Sequence, residues 1–125
     1  MNGYVGHIEN LTEDNNYFRQ VIFTSGKQQL VVMCLQKGED IGVEVHPEVD
    51  QFFRIEEGEG KVIMDGEETM FKDGDAIIVS AGTEHNVINT GDEPLKLYTI
   101  YSPPNHPAGT IHKTKEEAMV AEEHH

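Results

Sequence analysis

The chain has 125 residues, of which 37% are hydrophobic, and a formal net charge of −14, with 9 Lys and Arg against 23 Asp and Glu. This length fits a single domain with one core. Because phosphate groups are bound by clustered Lys and Arg, the acidic balance argues against nucleic acid and anionic membrane surfaces as partners. The sequence shows neither a membrane-length apolar run nor a signal-like N-terminal stretch, so we expect a cytoplasmic protein without membrane association.

Short apolar segments separated by turn residues recur along the chain. They predict β-strands over residues 17–24, 29–35, 42–46, 51–56, 61–64, 68–71, 76–79, 85–89 and 95–101. The lone Cys34 falls in the second of these strands and is expected to be a buried small hydrophobe. Asp65-Gly66 predicts a two-residue hairpin turn, since Gly readily supplies the positive φ that such turns need. Many short strands at close spacing favour an antiparallel β-sandwich or barrel.

The chain changes character after Tyr101. Residues 102–107 include three prolines and cannot form a central strand, because proline lacks a backbone donor. Thr114 and Glu117 have the spacing of a capping box, which predicts a short helix from residue 115 to about residue 122. We therefore divide the chain into a barrel with its N-terminal strands and Pro-rich tail, residues 1–113, and a short helical end, residues 114–125. We assign no function to His124 and His125 in that end.

Two half-motifs of glycines and polar residues carry the chemical signal. The first reads Gly38, five residues, Glu44-x-His46, four residues, Gln51, six residues, Gly58. The second reads Gly74, five residues, Ser80-x-Gly82, two residues, His85, three residues, Asn89. Side chains two apart on a strand point the same way, so Glu44 and His46 would project together, with Gln51 and His85 arriving from other strands. Oxygen and imidazole donors that converge in this way are what a mononuclear metal site needs.

In these half-motifs the chain resembles the cupin superfamily, which consists of small jelly-roll β-barrels. The family pattern is Gly, five residues, His-x-His, three or four residues, Glu, six residues, Gly, and then Gly, five residues, Pro-x-Gly, two residues, His, three residues, Asn. The positions that match are Gly38, His46, Gly58, Gly74, Gly82, His85 and Asn89. Three positions depart from the pattern: Glu44 stands for the first His, Gln51 for the Glu and Ser80 for the Pro.

The resemblance implies an all-β fold, a cupin-type double-stranded β-helix with a short C-terminal helix. The chain also resembles small single-domain cupins described as mannose-6-phosphate isomerase-like. A second register would take His46-x-Glu48 as the His-x-His element. It would place Phe52 or Phe53 at the expected Glu, and neither can bind a metal. We therefore prefer the register with Glu44 and Gln51.

Transferred to this sequence, the family's metal ligands become Glu44, His46, Gln51 and His85. Two imidazoles and one carboxylate with open positions form the ligand set of many non-haem iron oxygenases. Gln51 would be a weak neutral oxygen donor or would orient a water molecule. We expect one divalent transition metal ion, and Fe, Mn, Ni, Co and Zn all remain open. The alternative is a cupin that binds no metal and uses its pocket for a ligand.

Strand alternation predicts the remaining pocket residues. Phe53 and Ile55 share the face of Gln51, whereas Arg54 should point away, and Val87 and Asn89 share the face of His85. On the last strand, Lys96 is in phase with Tyr98, which favours Thr99 and Tyr101 as the inward residues. The candidates for proton transfer are Tyr101 and two tail histidines, His106 and His112. The two histidines can transfer protons only if residues 103–112 lie against the barrel, as we expect, rather than form a solvent-exposed loop.

Two functions from different classes follow. The first is a metal-dependent enzyme for a small organic molecule, of isomerase or dioxygenase-like chemistry. The second is a non-catalytic cupin that binds or senses a small ligand. A sugar or sugar-phosphate isomerase or epimerase is a narrower form of the first, weakened because Arg19 and Arg54 are the only arginines and phosphate usually needs such partners. The resemblance, the modest core and the exposed sheet edges together predict a homodimer.

Overall fold

The computed structural model describes residues 2–123, a mostly antiparallel β structure with one helix near each end. The elements in chain order are α1 (Ile8–Asp14), β1 (Arg19–Thr24), β2 (Gln29–Leu35), β3 (Asp50–Glu57), β4 (Glu59–Met64), β5 (Glu67–Lys72), β6 (Ala76–Val79), β7 (His85–Asn89), β8 (Leu95–Ser102), β9 (Ile111–His112) and α2 (Lys115–Glu123). His124 and His125 lie outside the described residues. The predicted all-β fold class with a short C-terminal helix is confirmed.

Two sheets form the barrel. The larger has six strands in the order β6-β3-β8-β2-β1-β9, and the smaller has three in the order β5-β4-β7. Strands β3 and β8 are central neighbours in the larger sheet, with Gln51 opposite Tyr101 and Phe53 opposite Thr99. This register places the pocket face of β3 directly beside the pocket face of β8.

Alternation along the strands separates the core from the outer face, as the sequence predicts. In β3 the side chains of Gln51, Phe53 and Ile55 are buried, while Arg54 on the opposite face is partly exposed. In β8 the buried set includes Thr99 and Tyr101. Cys34 is also buried, as expected. Successive strand residues point to opposite faces of the sheet. A polar residue two positions from a buried apolar residue therefore also points into the barrel.

The turns between strands use the expected glycines. Asp65 and Gly66 have φ values of 49° and 82° between β4 and β5, so the predicted hairpin turn is confirmed. Gly58 has φ 98° between β3 and β4, and a Cβ there would lie 3.0 Å from the backbone oxygen of Pro94. Gly66 and Gly58 both supply a positive φ, and at Gly58 a side chain would also lack space.

Three features differ from the sequence-based expectation. Helix α1 was not predicted; its N-cap is His7, whose Nδ1 accepts from the backbone N–H of Asn10, and His is not a preferred capping residue. Residues 42–46 do not form a ladder strand; this segment makes an isolated bridge between Glu44 and His85. Strand β9 was also missed, since its two residues are too short to show alternation.

The tail lies against the barrel, as expected. Strand β9 pairs with β1, with Arg19 opposite His112. The hydroxyl of Thr114 accepts from the backbone N–H of Glu117 at 3.1 Å, which is one half of the predicted capping box. Ala118 of α2 is buried against the core. Across residues 2–123, none of the helices has the length and apolar character needed to cross a membrane.

Candidate metal centre

Glu44 and His85 are joined through their backbones at the mouth of the barrel. The N–H of Glu44 donates to the carbonyl of His85 at 2.9 Å, and the N–H of His85 donates back at 2.9 Å. Directly opposed residues present their side chains on the same side of the pair, and His46 follows Glu44 in phase. The carbonyl of His46 is held in turn by the N–H of Gly82 at 2.8 Å. The two half-motifs are therefore locked together by main-chain hydrogen bonds.

The side chains of Glu44, His46 and His85 converge. Their candidate ligand atoms all lie within 4.8 Å of one another, and His85 is buried while the other two are half-buried. Oε2 of Glu44 lies 2.7 Å from Nε2 of His46. Two ligands at right angles on one ion, each about 2.1 Å from it, would be about 3 Å apart. The spacing therefore suits a shared cation.

Gln51 completes the group from β3. Its Oε1 lies 3.2 Å from Nε2 of His85, and its amide nitrogen donates to the hydroxyl of Thr99 at 3.0 Å. The contact with Thr99 holds the Gln51 amide beside His85. All four sequence-predicted donors are thus brought together, and Thr99 orients one of them.

The hydrogen bonds of His85 suit a ligand. Its Nδ1 lies 3.0 Å from the carbonyl oxygen of Thr83, so Nδ1 must carry the proton. In a neutral ring Nε2 then holds only a lone pair, and it faces the Gln51 oxygen, which is also an acceptor. With the Gln51 amide in this orientation, a cation between the two acceptors would satisfy both. Nε2 of His46 is likewise buried and, although it lies close to Glu44, makes no well-directed hydrogen bond to any of residues 2–123.

The carboxyl group of Glu44 is ready to bind a cation. Burial alone would raise its pKa, but the contact with His46 and the charges of His46, Arg19 and His85 outweigh this effect. The resulting pKa lies below the ordinary value for Glu, so the carboxylate is ionised at neutral pH. The donor set of one carboxylate, two imidazoles and one amide oxygen therefore fits a divalent transition metal.

The three candidate proton carriers surround this centre. The ring of Tyr101 packs edge-on to His46 with centroids 5.9 Å apart, and its hydroxyl lies 3.3 Å from Nε2 of His106. Burial raises the pKa of Tyr101, so the phenol keeps its proton. Burial, followed by the charge of Arg19, lowers the pKa of His106 to about 4, so that ring is neutral at pH 7. His112 lies against Arg19.

A groove of about 380 Å³ leads to the centre. Glu44 and His46 line it from the barrel side, and Asn105, His106 and Pro107 line it from the tail. The tail therefore borders the pocket mouth, as the sequence had suggested.

Two buried polar residues of this region were missed as site residues. Gln29 of β2 is fully buried; its side-chain oxygen accepts from the N–H groups of Asn105 and His106, at 3.1 and 3.0 Å. Arg19 of β1 is 2% exposed, and its Nη1 lies 3.2 Å from Nδ1 of His112. Alternation could have identified both, since Arg19 is in phase with Val21 and Gln29 with Val31.

The cupin domain family matches residues 31–101, which contain both half-motifs. The chain is a cupin. The protein YrkC of Bacillus subtilis is 51% identical over 126 residues, covering 96% of this chain and 68% of its own length. The cupin also resembles the crystal structure of BH2720 from Bacillus halodurans, with 48% identity, a TM-score of 0.92 and coverage of 94% of this chain and 93% of that one. The structure of TT1209 from Thermus thermophilus matches with 26% identity and a TM-score of 0.71, over 79% of this chain and 96% of that one.

Proposed function

We propose that this cupin binds one divalent transition metal ion through Glu44, His46 and His85, with Gln51 as fourth ligand, and that it acts on a small organic molecule in the groove. The observation that carries the proposal is that the candidate ligand atoms of Glu44, His46 and His85 all lie within 4.8 Å of one another, with Nε2 of His85 and Oε1 of Gln51 as two acceptors 3.2 Å apart. A bound cation satisfies both acceptors at once, and it also engages the buried Nε2 of His46.

When bound, such an ion supplies Lewis-acid or redox chemistry at its open positions. The chain's own residues supply the rest. Neutral His106 borders the groove and can take up a proton, while the Tyr101 hydroxyl beside it can donate a hydrogen bond without ionising. Phe53 and Val87 line the barrel interior and exclude water from the buried side of the centre.

Metal analysis tests the proposal. The untagged chain is stripped of metal and incubated separately with Mn, Fe, Co, Ni and Zn, and the bound metal is then counted by elemental analysis. We expect about one ion per chain for at least one metal. Glu44→Gln and His85→Gln should each abolish stoichiometric binding, while Glu48→Gln, an exposed neighbour, should not change it. Absence of binding with all five metals contradicts the proposal.

Turnover is tested separately from binding. Substrates are first sought by screening. If the neutral imidazole of His106 takes part in catalysis, the His106→Gln variant should bind metal normally but lose most of its activity. If ligands bind to the metal-loaded cupin and emerge unchanged, the protein is instead a binding or sensing cupin, which is the second function that the sequence supports.

A further inference from the structure

Arg19 is a cation buried beside the pocket without a paired carboxylate. Its side chain is 2% exposed, and in the part of the chain that the structure describes its Nε has no hydrogen-bond partner. Nη1 contacts His112, an uncharged acceptor when it receives this hydrogen bond. Within residues 2–123, none of the ion pairs includes Arg19. Burying a charge in this way is strongly unfavourable unless an anion compensates it.

The other arginine of the chain shows the usual arrangement. Arg54 lies on the outer face of β3 with its side chain 41% exposed, and its Nε is 3.0 Å from Oε1 of Glu56. This surface residue is both solvated and paired with a carboxylate. Arg19 is not solvated and, within residues 2–123, is not in an ion pair with a carboxylate. Its guanidinium lies over the ring of Phe18, 5.3 Å from the centroid, and contacts the side chain of Tyr101, but neither neighbour is an anion.

The position of Arg19 connects it with the candidate metal centre. The side chain of Arg19 contacts that of Tyr101, and its positive charge lies close enough to Glu44 and His106 to act on both. Glu44 and His106 line the groove, and Tyr101 packs against His46. A ligand that enters the groove towards the centre therefore moves into the field of Arg19.

We infer that the molecule bound in this pocket is a small carboxylic acid and that Arg19 binds its carboxylate. The inference rests on the proposed function in that the acid shares the pocket with the metal ion. A guanidinium presents a planar fork of N–H donors that matches a carboxylate, and the Nε–H of Arg19 is unused. A phosphate dianion suits the pocket less, because Arg19 would be its only guanidinium partner and ionised Glu44 belongs to the same centre.

Side-chain NMR of the full chain tests this inference directly. The chain contains only two arginines, so its spectrum has two Nε–H signals, and Arg54→Lys assigns them. Sodium acetate is titrated into the metal-free protein and into the protein loaded with diamagnetic Zn. We expect a saturable shift of the Arg19 signal with acetate, and no shift of the Arg54 signal. Acetamide, the neutral isostere, and sodium chloride at equal ionic strength should leave the Arg19 signal in place.

Variants supply a second readout. We expect Arg19→Lys to weaken acetate binding about tenfold and Arg19→Gln to abolish it, with metal stoichiometry unchanged in the conservative Lys variant. An Arg19 signal that does not move, or that moves equally with acetamide or chloride, overturns the inference without requiring any variant to fold. If no metal binds but acetate still shifts Arg19, the proposed metal centre fails and carboxylate recognition stands. If metal binds but acetate does not shift the Arg19 signal in either the metal-free or the Zn-loaded protein, only the carboxylate inference fails.

Discussion

The amide nitrogen of Gln51 donates to the hydroxyl of Thr99 at 3.0 Å, and this bond holds the amide of Gln51 beside His85. Both residues are buried on the inner faces of adjacent strands. The Thr99 hydroxyl thus holds the Gln51 amide in position beside the centre, although Thr99 is not itself a candidate ligand.

Removing the Thr99 hydroxyl should therefore weaken metal binding. We expect Thr99→Val, which keeps the shape of the side chain, to lower metal affinity about 10- to 100-fold, because groups that orient ligands typically contribute that much. Isothermal titration with the preferred metal measures the change. Thr69→Val, at an exposed position of β5, is the matched control and should leave the affinity unaltered. Equal affinities for the two variants would show that Thr99 does not orient Gln51.

Replacing Gln51 by Glu should strengthen metal binding but lower the stability of the metal-free protein. A second carboxylate should raise metal affinity roughly tenfold or more by charge attraction. In the metal-free form it lies buried near Glu44, and we expect it to lower the free energy of unfolding by about 1–3 kcal/mol. Urea unfolding with and without metal measures both effects. Gln28→Glu at the exposed surface should produce neither effect, and a Gln51→Glu protein with unchanged metal affinity would contradict the ligand assignment.

The decrease in the free energy of unfolding at acidic pH should depend on His106. Its pKa of about 4 in the folded protein lies below the ordinary value of 6.5, so between these pH values the unfolded chain binds more protons. The free energy of unfolding therefore falls as pH is lowered through this window, by at most about 3 kcal/mol from this residue. In chelator-treated protein, urea unfolding across the window should show a shallower slope for His106→Gln. Identical slopes in the variant and the wild type would contradict burial of this ring.

The attachment of the tail should depend on Gln29. Its side chain accepts from the N–H groups of Asn105 and His106 and donates to the carbonyl of His106 at 2.7 Å. We expect Gln29→Ala to cost about 1–3 kcal/mol and to increase amide exchange over residues 103–112. Hydrogen exchange with mass spectrometry measures the second effect. Gln28→Ala, whose side chain is exposed, is the control, and unchanged exchange in Gln29→Ala would show that the tail is held elsewhere.

We expect a homodimer in solution. Several large apolar side chains are exposed, Val43 and Ile78 at 68% each and Met70 at 66%, and β5 and β6 are edge strands that a partner could cover. Multi-angle light scattering at micromolar concentration should give twice the chain mass of 14.0 kDa. A particle of the single-chain mass would refute the expectation.

The sequence was most informative where strand alternation and turn chemistry act together. The inward positions of Gln51, Phe53, Thr99 and Tyr101 follow from period-two patterning, and the structure agrees with it. Helix α1 could not be predicted, because seven residues capped by His7 give too little periodicity and no preferred cap.

Other features of the site depend on contacts between residues distant in sequence. A charged residue at the start of a strand normally faces solvent, so only its phase with buried Val21 indicates that Arg19 points inward. Its inward direction is fixed by the pairing of β1 with β2 and with the tail strand β9. The bonds between Gln29 and the tail likewise have no local signal, since the partners meet only when the whole barrel closes.

The backbone bridge between Glu44 and His85 has a consequence for folding. These residues are far apart in sequence, and residues 42–46 belong to no ladder, so few hydrogen bonds tether this segment to the barrel. An ion held by both side chains would act as a cross-link that closes a long loop of the chain. Such closure removes conformations from the unfolded ensemble, so the stabilisation per ion would exceed the local gain in contacts. The segment should then be the part of the barrel whose opening rate responds most to metal.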